Sequence, residues 1–276
     1  MTELRSMSVT GSLAESASMI RVAFVGKGGA GKSTIAGTFA RLLARRGQPV
    51  LALDSDPMPG LPYSLGVGVD DHPIPDDVVV AGPEGGPRWV LRPGLDAAAI
   101  VDRYAARCPD GVRYLQFGNL WGHVVRLQQA QHAWSQVVEE LDRDSWHLVG
   151  DLPGGTRQAM FGWGKYADTV CVVVEPTVKS MHTARRLLTL SGARWGPSRL
   201  VLVVNKARDG SDAARVSERL GLEAAAVVPH DGTAGRADRR GAAPLDSAPG
   251  GPLAGAVDGL VDHVVSLYSL GREVTQ

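Results

Sequence analysis

Cysteine is nearly absent from this chain of 276 residues: Cys108 and Cys171 are the two it has, with no C-x-C or C-x-x-C spacing. A disulfide framework is thereby excluded, as is a cysteine-rich metal site contained within one chain. Net charge is absent too, with 29 Lys+Arg against 29 Asp+Glu, so no global field draws the protein toward nucleic acid or anionic lipid. No apolar run approaches the roughly 20 residues that a membrane helix needs. Residues 1–18, MTELRSMSVTGSLAESAS, lack both a basic start and an apolar segment, and so are not a signal peptide. They are expected to be a disordered extension, or the product of a start placed before the true one at Met19. A soluble cytoplasmic protein is the expectation, and 44% apolar residues are enough to fill a core. Lysine is the last scarcity: five lysines stand against twenty-four arginines, and two of the five, Lys27 and Lys32, share one glycine-rich turn.

Short apolar runs alternate with helical patterns along the chain. VAFVG (22–26), VLALD (50–54), WHLVGD (146–151), TVCVVVE (169–175), RLVLVVN (199–205) and AAVVP (225–229) are β-branched and apolar on both faces. Strands of a sheet covered by helices on both sides have that composition. Helical stretches fall between them at 32–46, 130–142, 179–191, 211–220 and 253–270. In the last, Leu253, Val257, Leu260, Val261, Val264 and Leu267 recur at helical spacing. The alternation predicts an α/β fold with a mostly parallel central sheet, helices on both faces, and ligands beyond the carboxyl ends of the strands. Residues 57–95, dense in proline and glycine, predict a long irregular excursion. With no repeat and no clean linker, one domain over 19–271 is expected, followed by a short tail, 272–276.

Between the first strand and the first helix lies 26-GKGGAGKST-34. It fits G-x-x-x-x-G-K-[ST], and its strand–helix context is the one that identifies a phosphate-binding loop. Glycines let backbone N–H groups converge on phosphate oxygens, and the helix N-terminus adds partial positive charge. The loop Gly26, Lys27, Gly28, Gly29, Ala30, Gly31, Lys32, Ser33 and Thr34 is therefore the candidate triphosphate cradle. Lys32 is assigned to the outer phosphates and the Ser33 hydroxyl to Mg²⁺. Two further strand ends carry carboxylates, 54-DSDPMP-59 and 148-LVGDLPGG-155.

K-G-G-x-G-K-[ST] resembles the deviant Walker A loop of the MinD/ParA/nitrogenase-iron-protein group of P-loop ATPases. The resemblance runs from residue 20 to about 270. It implies an Mg²⁺-dependent ATP hydrolase that forms a homodimer on ATP binding. Lys27 would cross the dimer interface to the partner's nucleotide phosphates, a reach that suits a flexible ammonium better than a planar guanidinium. Asp56 would position or deprotonate the attacking water, with Asp54 supporting it. Asp151 would hold the hydration shell of Mg²⁺ together with Ser33 and Asp56, and Gly154 and Gly155 would form a hinge that answers loss of the γ-phosphate. In 201-VLVVNKA-207 and 227-VVPHD-231, Asn205 would read the base edge and the segment around Pro229 would pack on the ring, with Lys206 and Asp231 beside them.

Within that group the pattern is similar to CooC-type ATPases, which are associated with maturation of nickel carbon monoxide dehydrogenase. GKGGAGKST, VLALDSDPMPGLPYSLG, VVVEPTVKSMHTARRLLTL and VPHDGTAGRADRRGAAPLD carry the likeness. One departure stands out. Nickel-handling members bear a C-x-C in the middle segment, whereas 115-LQFGNLWGHVVRLQQAQHAW-134 has no cysteine. Cys108 offers one thiolate per subunit, and His123 and His132, nine apart, fall on opposite sides of any common helix. The expectation is thus an ATP-driven dimeric switch acting on a client protein, with no transition-metal site carried over. The neighbourhood of Trp121 and Trp134 is read as core aromatics or as a docking surface, and Cys171, mid-strand, as a core residue. The alternatives are a ParA/MinD-like positioning ATPase and a nucleotide sensor that does not hydrolyse. For the former, Arg236, Arg239 and Arg240, or Arg185 and Arg186, could meet DNA, whereas the last helix has no Lys or Arg to seek a membrane.

Overall fold

The computed structural model describes residues 19–56, 58–68, 74–86, 88–117, 124–156, 163–195 and 199–273. The strands are β1 (Arg21–Gly26), β2 (Val50–Asp54), β3 (Val79–Ala81), β4 (Trp89–Leu91), β5 (Ala106–Arg107), β6 (Arg113–Gln116), β7 (His147–Asp151), β8 (Thr169–Val174), β9 (Leu200–Ala207) and β10 (Ala224–Pro229). The helices are α1 (Lys32–Arg45), α2 (Leu61–Leu65), α3 (Ala97–Tyr104), α4 (Val124–Glu140), α5 (Val178–Trp195), α6 (Gly210–Leu220), α7 (Gly232–Asp238), α8 (Pro244–Ser247) and α9 (Pro252–Glu273). All six expected strands and all five expected helices form, with ends shifted by a few residues.

Eight strands make one sheet in the order β10-β9-β8-β1-β7-β2-β6-β5, parallel throughout except for the β5–β6 pair. From β1 the chain winds one way to β2 and β6 and the other way to β8, β9 and β10. The crevice at the carboxyl end of β1 is the topological switch point, where such sheets bind ligands. Side chains alternate across the sheet as the pleat requires. Val22 and Phe24 join Ile35, Phe39 and Leu43 of α1 and Val257, Leu260, Val261 and Val264 of α9 on one face. Ala23 and Val25 join Trp134, Val137 and Val138 of α4 and Met181, Ala184 and Leu187 of α5 on the other.

Helix α1 ends where Gly47, at φ 80°, and Pro49 stop it, while Arg46 and Gly47 return their amides to Leu43 and Ala44. Its Arg41, 2% exposed, donates to Asp110 (2.7 Å) and to both oxygens of Asp246 (2.7 and 2.9 Å), which binds α8 and the turn before β6 to α1.

Residues 57–95 differ from the irregular excursion expected of them. Their described part holds α2 and the antiparallel pair β3–β4. Leu61 and Leu65 pack on the α1 side, and Ile74, Val78 and Val79 on the α4 side. Pro62 stands in the first turn of α2 and Pro75 directly before the turn that leads into β3, so these prolines punctuate structure rather than prevent it. Trp134 is a core residue at 2% exposure, edge-on to Phe117 at 5.9 Å, and Cys171 is fully buried. Trp121 and His123 lie outside the described residues. His132 reaches the Trp89 carbonyl of β4 (3.1 Å) and pairs with Gln136.

His147, at the start of β7, is buried and neutral: its Nδ1 accepts the Ile20 amide (2.9 Å) and its Nε2 faces Gln48 Oε1 (3.0 Å). Burial holds its pKa down at about 4, against 6.5 when unfolded. Between those values the unfolded chain binds the extra proton, so this group's contribution to stability falls as pH drops from about 6.5 to about 4. The buried carboxylates described below act with the opposite sign, so the imidazole is isolated by comparing variants. Urea midpoints measured from pH 7.5 to 4.5 are expected to fall more steeply with acidification for the wild type than for His147→Gln.

Candidate functional site

Strand β1 delivers the chain to the switch point at Gly26, and the loop that follows has its carbonyl groups occupied one after another. The Gly155 amide holds the oxygen of Gly26 (3.0 Å), the Ala30 amide that of Lys27 (3.1 Å), and the Ile35 amide that of Gly31 (3.0 Å). Side chains hold the other three: Lys27 Nζ at Gly28 (3.2 Å), Lys206 Nζ at Gly29 (2.8 Å) and Asn205 Nδ2 at Ala30 (2.7 Å). Oxygen atoms so committed are turned away from any ligand. Helix α1 then starts at Lys32 behind Gly31, which stands in the left-handed region at φ 93°, and no side chain caps its first turn. A loop with engaged carbonyls and an uncapped helix head is a seat for an anion.

A cleft of about 420 Å³ opens over this loop. Of the residues singled out in the sequence, Gly29, Gly31, Lys32, Ser33, Thr34, Asn205, Lys206, Pro229 and Asp231 line it. Gly26 and Ala30 are buried behind the loop, and Gly28 is exposed on it. Lys27 is on the rim, outside the lining. Gly60, Tyr63, Ser64, His230, Ala234, Gly235, Asp238 and Leu253, none of them a site residue expected from the sequence, complete the wall. The turn residues Pro59 and Gly60 were the one signal for that segment, and they do not say where a turn lands. Asp231 also caps α7 by accepting the Thr233 amide (2.7 Å). Asn205, expected to read the base edge, lines the cleft and donates its Nδ2 to the Ala30 carbonyl of the loop (2.7 Å).

Lys32 lines the cleft, whereas the expected site residues Asp151 and Asp56, and Asp54 with them, are outside its lining; Asp151 lies behind Ser33. Lys32 is 7% exposed, Asp151 2% and Asp54 fully buried. Asp151 Oδ2 accepts the Ser33 hydroxyl, while its Oδ1 is buried with no hydrogen-bond partner. Burial raises the Asp151 carboxyl pKa, against the Lys32 ammonium and the Ser33 hydroxyl, and Asp56 adds to the rise. Burial likewise raises Asp54, and the charge of Asp151 adds to it. Two backbone amides oppose that rise, Asp56 (2.9 Å) and Leu61 (3.2 Å), so Asp54 shapes the turn after β2. Asp56 is half-buried and accepts the Met58 amide (3.0 Å). A buried carboxylate with one orphaned oxygen beside a serine hydroxyl is the oxygen donor set of a hard divalent cation such as Mg²⁺. Beside it the loop after β7 presses on the glycine loop. A Cβ at Gly154 would lie 3.0 Å from the Cα of Gly28, so a side chain there would push the two loops apart by a few tenths of an ångström.

A parallel sheet with a glycine loop, a buried lysine and a strand-end carboxylate at its switch point defines a phosphate-loop nucleotide-binding protein. The chain belongs to the family described as the CobQ/CobB/MinD/ParA nucleotide binding domain, which matches residues 22–245. An uncharacterized ATP-binding protein of Methanocaldococcus jannaschii is 30% identical over 228 residues, covering 77% of this chain and 86% of that protein. The carbon monoxide dehydrogenase accessory protein CooC of Rhodospirillum rubrum is 25% identical over 245 residues, 83% of this chain and 91% of its own. In fold, the chain is similar to the septum site-determining protein MinD of Pyrococcus horikoshii, solved with Mg-ADP. The TM-score is 0.68 at 18% identity, over 89% of this chain and 96% of that one.

Two loop glycines separate backbone strain from steric conflict. Gly29 and Gly31 both have positive φ, 82° and 93°, but a Cβ at Gly29 meets nothing within 4 Å, whereas one at Gly31 would lie 2.2 Å from Asn205 Nδ2. Gly29→Ala is expected to cost about 1 kcal/mol of stability. Gly31→Ala is expected to cost about 2–4 kcal/mol and to displace Asn205. Denaturant unfolding of the two variants tests the order.

Proposed function

We propose that this protein is an Mg²⁺-dependent ATPase that closes as a homodimer on ATP and acts as a switch on a client protein in metalloenzyme assembly. The observation that carries the reading is the pairing of Ser33 with the half-satisfied carboxylate of Asp151 beneath a loop whose carbonyls are all engaged. Gly26 to Thr34 would cradle the triphosphate, and Lys32 would neutralise its outer oxygens. Ser33 and Asp151 would hold Mg²⁺, with Asp56 close by; the ion, when bound, supplies positive charge against the phosphate oxygens. Asp56 would orient the attacking water. The segment of Gly154 and Gly155, bonded to Gly26 and pressed on Gly28, would carry the state of the phosphates outward.

Lys27 supports the dimer. Among the described residues its ammonium is bonded to its neighbour's carbonyl, at Gly28 (3.2 Å), a contact within its own loop that it would give up to reach a second subunit. The likeness to the CooC accessory protein over 91% of that protein supports a client in metalloenzyme assembly. Transition-metal handling is not part of the proposal, because the middle segment has no C-x-C and both Cys108 and Cys171 are buried. Among the described residues no helix is long and apolar enough to cross a membrane.

A second reading, a ParA-like positioning ATPase on DNA, has one observation in its favour. Residues 176–220 contain nine Lys+Arg against three Asp+Glu, an excess that the rest of this neutral chain balances. Lys179, Arg185 and Arg186 are exposed on α5, which has no acidic residue. Affinity for duplex DNA that falls steeply between 50 and 200 mM salt supports that reading, and no binding at low salt excludes it.

Lys27→Ala is expected to bind ATP with Mg²⁺ like the wild type, yet to lose turnover about 100-fold or more and to remain monomeric with ATP in sedimentation velocity. Wild-type turnover by this variant overturns the trans role of Lys27. Asp151→Asn is expected to weaken Mg²⁺-dependent nucleotide binding about tenfold or more, read by titration calorimetry with and without the metal.

A further inference from the structure

In a regular strand, consecutive side chains point to opposite faces. Asn205 and Lys206 are consecutive in β9, yet both donate to consecutive carbonyls of the glycine loop, those of Ala30 and Gly29. The backbone shows how this is achieved. Lys206 has φ 59°, one of two non-glycine residues with positive φ among those described. The pairing with β10 skips at the same place: Val228 pairs with Asn205 and Pro229 with Ala207, which leaves Lys206 as the extra residue of a bulge. A bulge re-aims a side chain at the cost of a ladder position, and a left-handed lysine costs about 1 kcal/mol or more. The result is that both side chains turn onto the loop. A third residue takes part: Glu175, just past the end of β8, receives the Lys206 ammonium at Oε1 (2.6 Å).

We infer that Asn205 and Lys206, anchored by Glu175, are positioning residues that hold the phosphate-binding loop open to an anion by fixing two of its carbonyls. In a trans peptide the C=O and N–H point in opposite directions. Holding the Ala30 oxygen toward β9 turns the Gly31 amide away from it, and holding the Gly29 oxygen does the same for the Ala30 amide, which closes onto Lys27 (3.1 Å). Backbone amides fix the carbonyls of Gly26, Lys27 and Gly31, whereas those of Gly29 and Ala30 are held by the side chains from β9. Glu175 acts only through Lys206. It does not line the nucleotide cleft but a second one of about 350 Å³, shared with Thr177, Lys206, Arg208, Arg215 and His230. Lys206 and His230 line both clefts, and through Lys206 the loop's conformation depends on a residue outside the nucleotide cleft.

The inference rests on the nucleotide reading of the cleft for its affinity arm alone, so the experiment has two arms. In the first, amide hydrogen exchange by mass spectrometry is compared for nucleotide-free wild type, Glu175→Gln and Lys206→Met. Peptides spanning 26–35 are expected to exchange about tenfold faster in both variants, with α9 and β1 unchanged. Unchanged exchange in Glu175→Gln overturns the inference whatever the protein binds, and exchange raised throughout that variant overturns it by showing a general structural role. In the second arm, Mg-ATP affinity is measured on the same proteins by titration calorimetry. Glu175→Gln is expected to bind about tenfold more weakly, equivalent to about 1.4 kcal/mol. Combining it with Lys206→Met is expected to add little, since the two act in series. Were Lys206 only a direct phosphate contact, freeing it from Glu175 would leave affinity equal or higher, and that result overturns the strap. A wild type that binds no Mg-ATP while the exchange arm succeeds overturns the nucleotide reading and leaves the strap standing.

Discussion

A stretch of backbone can receive an anion only if its own carbonyl oxygens are turned away and kept away. In this protein that constraint organises the carboxyl end of the sheet. Six successive carbonyls, from Gly26 to Gly31, are each taken by a donor, and the donors come from four places: the loop itself, α1, the segment after β7, and the bulged end of β9. Each would repel a phosphate oxygen if released. The loop is therefore not a self-contained motif but a surface held in shape from several sides, and its shape can respond to whatever moves those supports.

Charge is arranged on the same principle. Lys32, Asp54 and Asp151 are buried at the carboxyl end of the sheet, and both carboxyls are held above their ordinary range by burial, with the charge of Asp151 adding to the rise at Asp54 and that of Asp56 to the rise at Asp151. Charges in so dry a place are costly unless compensated, and here compensation is partial: the Ser33 hydroxyl serves one oxygen of Asp151 and leaves the other orphaned. On the proposed reading, the missing compensation is what a divalent cation and a polyphosphate bring together. Binding would then relieve a tension already present in the fold, and the segment after Asp151, which touches Gly26 and Gly28, is placed to register that relief.

The fold was largely legible because its strands are buried on both faces. VAFVG, VLALD and TVCVVVE have no polar face to present to water, which leaves a helix-covered parallel sheet as the consistent arrangement. The segment from 57 to 95 was not legible, because prolines that bound short elements look in sequence like prolines that prevent them. Charge was half legible: the overall balance was plain, but it hid the basic excess of residues 176–220. Within the site, the glycine loop, Lys32, Ser33 and Asp151 were identifiable as a group because one chain segment, or one strand end, carries each signal. Glu175 was not, since nothing in E-P-T indicates a lysine arriving from a strand thirty-one residues later.

What the sequence determined by itself is the chemistry that is local: a loop flexible enough to converge its amides, a lysine and a serine at a helix head, and carboxylates at the ends of apolar strands. These follow from residue type and spacing along a few bonds. What only the tertiary structure decided is which way that loop faces. Asn205 and Lys206 reach Ala30 and Gly29 across about 175 residues of chain, through a bulge that β10 imposes on β9 and a left-handed lysine that no propensity favours. Peptide orientation in a glycine loop carries almost no local energetic preference, so contacts made at long range are free to set it.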